Sequence, residues 1–336
     1  MPETLLSVEN LSTVFTLPGR ALLAKSARLT AVSDVSFCLE EGETLGIVGE
    51  SGCGKSTLGR SILRLIEPTE GRVVWQGRSL TALSKTEMRK ARRDLSIIFQ
   101  DPVASLDPRM NVGQIIEEPL KIAEPKLLRG ERRKRVERVM DEVGLAPEMI
   151  NRYPHEFSGG QAQRIGIARA IVTEPKLIVC DEPVSALDVS IQAQIVNLLK
   201  ALKERMGLTL IFISHDLSVV RLVSDRILVL YLGRIVEIGP RQQVFQNPAH
   251  PYTQALLSAA PIPDPVVARS RERTALQGDP PSPINPPSGC GFRTRCPIAR
   301  EDCAKDLPPL AKVDADHQVA CLFWTEVRAD PALAAG

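Results

Sequence analysis

The chain has 336 residues, of which 43% are hydrophobic and 24% charged, and its 42 basic and 40 acidic side chains leave a formal net charge of +2. This composition is close to that of packed soluble proteins and excludes a mostly disordered chain. The balanced charge gives no bulk signal for nucleic-acid binding. No apolar run approaches the ~18 residues that a membrane-spanning helix needs, and the start of the chain lacks the pattern of a signal peptide. We therefore expect a cytoplasmic protein of about two domains.

Short apolar runs typical of buried strands alternate with longer helical patterns through the first part of the chain. The strand candidates are 44–48, 95–99, 177–180, 209–213 and 227–230, and the helix candidates include 58–65, 161–173 and 191–206. This alternation predicts an α/β fold in which helices flank a parallel sheet. The stretch from about 102 to 170 differs, because its pattern is mostly helical.

Proline divides the chain into two regions. Residues 1–247 hold 12 of the 26 prolines, and the last 89 residues hold 14. Proline-rich runs resist regular structure, because each ring removes a donor and fixes φ. We predict one compact domain over 1–240 and an appended Pro-rich extension over 241–336.

A glycine-rich motif follows the strand candidate 44–48. It fits G-x-x-x-x-G-K-[ST] between a strand and a helix, which is the context of a phosphate-binding loop. Backbone N–H groups and the helix N-terminus would face phosphate oxygens, while Lys55 would reach the β- and γ-phosphates and Ser56 would ligate Mg²⁺. The alternative is a glycine-rich turn with an exposed lysine. The predicted loop consists of Gly49, Glu50, Ser51, Gly52, Cys53, Gly54, Lys55, Ser56 and Thr57.

Two acids end the strand candidate 177–180. Asp181 would hold Mg²⁺ directly or through water, and Glu182 could polarise an attacking water as general base. An apolar run that ends in an acid is a common strand end, so the phosphate loop upstream is what favours the functional interpretation.

A second candidate anion site begins at Ser158. This serine is a natural N-cap, and Gly159 and Gly160 allow close approach to the backbone at the start of a helix. A second phosphate-binding helix end in one chain makes sense if it serves the nucleotide of another subunit. An ordinary serine-capped helix is the alternative.

In this order, the motifs resemble the nucleotide-binding subunit of an ABC transporter. The resemblance spans residues 1 to about 240 and includes Gln100 in IIFQDP, Asp188 in SALD and His215 in FISHD. It implies a P-loop NTPase of ABC type, with a parallel-sheet core, an antiparallel β subdomain and a helical signature subdomain over about 102–170.

The resemblance also implies roles for individual residues. Phe15 matches the aromatic residue that stacks on adenine, although Tyr is commoner there, and Gln100 would ligate Mg²⁺ and respond to the membrane subunit. Lys55, Glu182 and His215 would be catalytic, with His215 on the γ-phosphate. The residues that would contact the ATP of the facing subunit are Ser158, Gly159, Gly160, Gln161 and Asp188. ATP would close such a pair and hydrolysis would open it.

The tail narrows the resemblance to the ATPase subunits of peptide importers. HPYTQALL at 250–257, PSPINPP at 281–287 and GCGFRTRCP at 289–297 look most like the second ATPase subunit of dipeptide and oligopeptide systems. Close relatives of that group import nickel, glutathione or opines. The resemblance implies a second ATPase subunit, two permeases, an extracytoplasmic solute-binding protein and a place on the cytoplasmic membrane face, with no nucleic acid.

Four cysteines lie close together in the tail, at Cys290, Cys296, Cys303 and Cys321. Their spacing is neither that of a zinc ribbon nor a familiar ferredoxin pattern, so spacing alone leaves an iron–sulfur cluster, zinc and reduced thiols open. The resemblance favours a structural [4Fe–4S] cluster, since metal ligation can stabilise a segment with little core. His317 is either a further ligand or, more simply, a surface histidine in a loop.

Two other classes of function compete with transport. One is a soluble ABC ATPase of DNA repair or translation, although this chain has one ATPase core and no large insertion. The other is an iron–sulfur redox sensor with an ATPase attached.

Overall fold

The structure, a computed structural model, describes residues 4–18, 26–259 and 278–329. Its strands form two sheets. The antiparallel sheet has the order β2-β1-β4-β5, with β1 at Thr4–Leu17, β2 at Ala27–Glu40, β4 at Glu70–Trp75 and β5 at Arg78–Ser79. The larger sheet has the order β11-β12-β10-β9-β3-β8-β7-β6, with β3 at Thr44–Val48, β6 at Leu95–Ile98, β7 at Leu177–Asp181, β8 at Thr209–Ile213, β9 at Arg226–Tyr231, β10 at Arg234–Pro240, β11 at Ala311–Lys312 and β12 at Gln318–Val319.

The centre of the larger sheet is parallel, as the sequence predicts. Strands β9, β3, β8, β7 and β6 pair in parallel, and every residue of β3, β7 and β8 is buried. The register pairs Ile47 of β3 and Asp181 of β7 with Ile213 of β8. These strands therefore end at one edge of the sheet, where open α/β folds bind ligands.

Helices surround the sheets. They are α1 at Lys55–Ile62, α2 at Lys85–Ala91, α3 at Val112–Ala123, α4 at Arg129–Glu142, α5 at Gly159–Ile171, α6 at Val189–Met206, α7 at Leu217–Val223, α8 at Arg241–Gln246, α9 at Pro251–Ala259 and α10 at Trp324–Ala329. Helix α1 begins three residues earlier than the predicted 58–65, because the Leu58 N–H already donates to the Gly54 carbonyl (2.8 Å). None of the helices in the described ranges is long and apolar enough to cross a membrane.

The parallel strands separate two hydrophobic cores. Along β7, Ile178 and Cys180 belong to the core that includes residues of α3, α4 and α5, whereas Leu177 and Val179 belong to the core beneath the antiparallel sheet. Successive side chains of a strand point to opposite faces, so the sheet is covered on both sides, as a parallel sheet requires.

The extension continues the larger sheet. Strand β12 pairs with β10 through Val319 and Glu237, and β11 pairs with β12. The prediction of a surface loop for His317 is wrong, because its side chain is fully buried and its Nε2 lies 2.8 Å from Glu237 Oε1. The division of the chain at residue 240 stays a prediction.

Candidate nucleotide-binding site

The loop after β3 requires glycine at two positions. Gly49 and Gly54 have φ of +152° and +105°, a region that residues with side chains rarely adopt. A Cβ at Gly49 would lie 2.2 Å from the Leu230 carbonyl oxygen, and one at Gly54 would lie 2.1 Å from the Ala31 carbonyl oxygen. The loop is thus held against neighbouring backbone in a curled form.

Lys55 lies inside this loop. The residue is buried, and its Nζ donates to the carbonyl oxygens of Gly49 (2.7 Å) and Glu50 (2.9 Å). Because carbonyl oxygens and phosphate oxygens are both acceptors, the ammonium is placed where it can exchange these partners for a phosphate.

Ser56 and Asp181 meet below the loop. Ser56 Oγ donates to Asp181 Oδ1 (2.6 Å), and Arg60 Nη2 donates to Asp181 Oδ2 (3.0 Å). The Asp181 side chain is 1% exposed. Hydroxyl and carboxylate oxygens are the ligands that Mg²⁺ prefers, so this donor set fits the predicted magnesium site. Arg60 was not among the predicted site residues.

Glu182 occupies a strained position directly after β7. Its φ is +49°, and its N–H donates to the Ile213 carbonyl (3.0 Å). Such backbone strain is found where the surrounding structure fixes a functional side chain. Glu182 Oε2 accepts from Gln100 Nε2 (3.1 Å) and lies 3.2 Å from His215 Nδ1. Three predicted site residues therefore meet at one carboxylate oxygen.

Most of these groups line one cavity of about 1210 Å³. Its wall includes most of the phosphate loop together with Phe15, Gln100, Glu182 and His215. The structure thus brings most of the residues predicted for one nucleotide into a single cavity, with Asp181 in contact with Ser56 beside it.

The second predicted anion site lies elsewhere. Among the described residues that line the cavity, none belongs to the set Ser158, Gly159, Gly160, Gln161 and Asp188. Ser158 caps α5, because its Oγ accepts the Gln161 N–H (3.4 Å) and its own N–H donates to Gln161 Oε1 (3.1 Å). All five residues are exposed or half-buried, so this helix start is accessible to another molecule.

The extension also reaches the phosphate loop, which the sequence analysis did not predict. Tyr252 Oη accepts the Glu50 N–H (2.8 Å), and the Arg295 guanidinium donates to both Glu50 carboxylate oxygens (2.6 and 2.9 Å). Both residues lie in tail phrases that the sequence analysis quoted. The Arg295–Glu50 contact, however, joins residues 245 positions apart, a pairing that no local pattern indicates.

The four tail cysteines are neighbours without forming a metal-ligand group. The part of the chain that the structure describes contains no set of three or more His, Cys, Asp or Glu arranged to hold a metal. The pKa of Cys296 is raised to about 11 and that of Cys321 to about 12, mainly by burial, and the neighbouring thiols contribute to both increases. The Cys290 N–H donates to the Cys303 carbonyl (2.8 Å). The donor chemistry fits an iron–sulfur cluster, but the arrangement lends it no support.

Family models match two parts of the chain. The model described as ABC transporter matches residues 32–185, and the model described as Oligopeptide/dipeptide transporter, C-terminal region, matches residues 236–303. The oligopeptide transport ATP-binding protein OppF of Haemophilus influenzae is 58% identical over 322 residues, covering 95% of this chain and 97% of that protein. The chain belongs to the ABC transporter family, among the ATP-binding subunits of peptide importers.

A second relative and a solved structure support the same family assignment. OppF of Escherichia coli is 60% identical over 294 residues, covering 88% of each chain. A solved dimeric, post-hydrolysis structure of the ATP-binding cassette MJ0796 with bound ADP and Pi matches with a TM-score of 0.63 at 32% identity, covering 70% of this chain and 98% of that one. The predicted family and ABC ATPase fold are therefore confirmed.

Proposed function

We propose that the chain hydrolyses ATP at the cytoplasmic face of a membrane and thereby drives the import of oligopeptides. The observation that carries this function is the meeting of Gln100 and His215 at Glu182, in the cavity that the phosphate loop lines. The names of the relatives, oligopeptide transport ATP-binding proteins, supply the substrate class. Nickel, glutathione or opine uptake would use the same ATPase with a different permease.

The residues divide the work of hydrolysis between binding and proton transfer. Lys55 and the loop N–H groups bind the phosphates, and Ser56, Asp181 and Gln100 supply the oxygen ligands for Mg²⁺. The bound ion would supply positive charge that offsets the negative charge of the phosphates. Glu182 Oε2 accepts a proton from the attacking water, and His215 orients the γ-phosphate and holds the Glu182 carboxylate.

The second half of the site comes from another ATPase subunit. The exposed start of α5, together with Asp188, covers the nucleotide bound to that other subunit. In return, the start of the equivalent helix of the other subunit covers the nucleotide bound to this chain. The solved MJ0796 structure is described as dimeric, which supports the pairing. Since ATP contacts both halves only when they meet, its binding favours the closed pair.

A groove beside Gln100 receives the permease. This groove, of about 790 Å³, includes Phe99 and the exposed Leu65 and Ile122, which are 45% and 48% exposed. A cytoplasmic permease helix with apolar and acidic side chains fits the chemistry of the groove. A movement of that helix would displace Phe99 and thereby the adjacent Gln100. The basic side chains around the groove are Arg64, Lys85, Arg89, Arg92, Arg93 and Arg169.

The tail cysteines hold a structural [4Fe–4S] cluster in this proposal. What supports it is the presence of four thiols in the tail, Cys290, Cys296, Cys303 and Cys321, with Cys290 and Cys303 held together by the hydrogen bond between their backbones. Protein purified without oxygen should contain about four iron atoms per chain and show the visible absorption of an iron–sulfur cluster. Cysteine-to-serine variants would lose both signals, and an iron-free, correctly folded protein would contradict the cluster.

Reconstitution tests the transport function. The chain should copurify with two permeases and a second ATPase subunit. Proteoliposomes that contain this assembly should accumulate oligopeptide only when ATP is inside the vesicles and a solute-binding protein is outside them. Lys55→Ala should reduce uptake at least about a hundredfold, because the substitution removes the ammonium that would contact the phosphates. Copurification with ribosomes or DNA, or uptake of nickel in place of peptide, would contradict the proposal.

A further inference from the structure

We propose that Arg295 and Tyr252 of the extension are positioning residues for the phosphate loop, and that Arg295 offsets the charge of Glu50 so that ATP can bind. The inference rests on the proposed ATPase function. It assigns the extension a role in nucleotide affinity.

All three polar groups of Glu50 are engaged. Its N–H donates to Tyr252 Oη (2.8 Å), its carbonyl accepts from Lys55 Nζ (2.9 Å), and its carboxylate accepts two bonds from Arg295 (2.6 and 2.9 Å). One residue of the loop thus connects the extension to the lysine that binds phosphate. A shift of Glu50 would move the backbone that positions Lys55.

Arg295 is itself held firmly. Its side chain is 4% exposed, and Nη1 also lies 3.5 Å from Tyr231 Oη. The hydrogen bonds to Glu50 raise the pKa of Arg295. A planar guanidinium matches a carboxylate with two parallel bonds, which a lysine cannot do.

An aromatic cluster supports the same contact. Phe292 packs against Tyr231 and Tyr252 with ring centroids 5.3 Å apart in each case, and the two tyrosine rings are 4.6 Å apart. The three aromatic rings therefore join β9, α9 and the segment between Cys290 and Cys296. Because Tyr252 is buried, its hydroxyl has little freedom to leave Glu50.

The charge of Glu50 makes this contact matter for binding. Its carboxylate belongs to a loop that receives a polyanion, and like charges repel in a partly buried site. Arg295 neutralises that carboxylate and holds it in place. Without Arg295, the negative charge would be free to oppose the triphosphate.

Nucleotide binding by the full chain tests the proposal. Arg295→Gln should raise the Kd for ATP about tenfold, and in the assembled importer it should raise KM similarly while kcat changes less than about threefold, since the lost interaction is present in ground and transition states alike. Tyr252→Phe should raise the Kd about threefold, because only the acceptor for one N–H is lost. Arg295→Lys should fall between Arg295→Gln and the wild type.

A double-mutant cycle separates charge compensation from a merely structural role. Adding Glu50→Gln to Arg295→Gln should restore most of the lost affinity and bring the Kd to within about threefold of the wild type, because no uncompensated charge remains in the double variant. Arg293→Gln is the matched control, since Arg293 is a half-buried arginine two positions away that donates to the Ser288 carbonyl and not to the phosphate loop.

Two results would overturn the inference: an unchanged Kd in Arg295→Gln, or the same loss of affinity with and without Glu50→Gln. If Arg295→Gln does not fold, an unchanged Kd in Tyr252→Phe would overturn the positioning role. A wild-type chain that fails to bind ATP would instead refute the proposed function.

Discussion

The backbone conformation of Glu182 determines where its carboxylate lies. Its left-handed conformation places the carboxylate between Gln100 and His215, while the preceding Asp181 remains buried with Ser56. Two adjacent acids thereby have different partners. In the proposed mechanism, these two environments would separate a metal-binding carboxylate, Asp181, from a proton-accepting one, Glu182.

Glu182→Gln should stop hydrolysis and preserve binding. The amide keeps the size of the side chain but cannot accept the proton, so kcat should fall at least about a hundredfold, with the Kd for ATP changed less than about threefold. A complex with uncleaved ATP should accumulate as a closed pair, measured by size-exclusion chromatography with retained nucleotide.

Glu174→Gln provides the matched control. Glu174 also has a positive φ, of +53°, but its carboxylate pairs with Arg138 outside the cavity. Its hydrolysis rate should equal that of the wild type. Normal turnover by Glu182→Gln in the assembled importer would contradict its role as the base.

At the scale of elements, the fully buried strands could be predicted well. The runs for β3 and β8 match the observed bounds, because continuous burial in a parallel sheet leaves an uninterrupted apolar pattern. The curled loop could also be predicted locally, because the fixed positions of its motif, among them Gly49, Gly54 and Lys55, interact with one another or with the adjoining backbone. The resemblance, and no local pattern, supplied Phe15 and His215.

What the sequence could not predict depends on distant partners. The two-residue strands β11 and β12 exist only because β10 offers an edge. His317 was misplaced because the partner that buries it, Glu237, lies 80 positions earlier. The contact of Arg295 with Glu50 escaped prediction for the same reason.

A substitution at the start of α5 should separate ATP binding by one chain from the pairing of the two ATPase subunits. Ser158→Ala removes the N-cap, which costs about 1 kcal/mol of stability, but Ser158 does not line the nucleotide cavity of its own chain. The Kd for ATP of the isolated chain should therefore stay within about twofold. ATP-driven closure and hydrolysis in the assembled importer should fall at least about tenfold.

Ser84→Ala is the matched control for the loss of a cap. Ser84 begins α2 with the same capping box, formed with Glu87. The thermal midpoints of the two variants should drop by similar amounts, and only Ser158→Ala should lose hydrolysis. Equal activities in the two variants would contradict the shared-site arrangement.

At the scale of the whole molecule, two contacts through carboxylates of the core hold the described part of the extension, in addition to the pairing of β12 with β10. One is the contact with the phosphate loop, and the other is the buried Glu237 of β10. Glu237 accepts the N–H groups of Ala249 (2.7 Å) and His250 (3.0 Å) in addition to its contact with His317. Any separate unit over 241–336 would therefore share this carboxylate with the core.

The partners of His317 fix its role in this network. Arg328 Nη2 lies 3.2 Å from His317 Nδ1, and a guanidinium can only donate. Nδ1 is therefore the acceptor, and Nε2–H donates to Glu237 Oε1. The carboxylate receives three hydrogen bonds in a site without solvent, where unpaired polar groups are costly.

Glu237→Gln should loosen the extension. An amide nitrogen at either carboxylate position would face an N–H donor, so the free energy of unfolding should fall by about 3 kcal/mol. Limited proteolysis should then cleave the extension faster than in the wild type, and the Kd for ATP should rise if the contact of Arg295 with Glu50 weakens as well. Glu326→Gln, which removes the exposed pair with Arg300, should cost less than about 1 kcal/mol. Equal stabilities in urea unfolding of the two variants would show that the buried carboxylate does not hold the extension to the core.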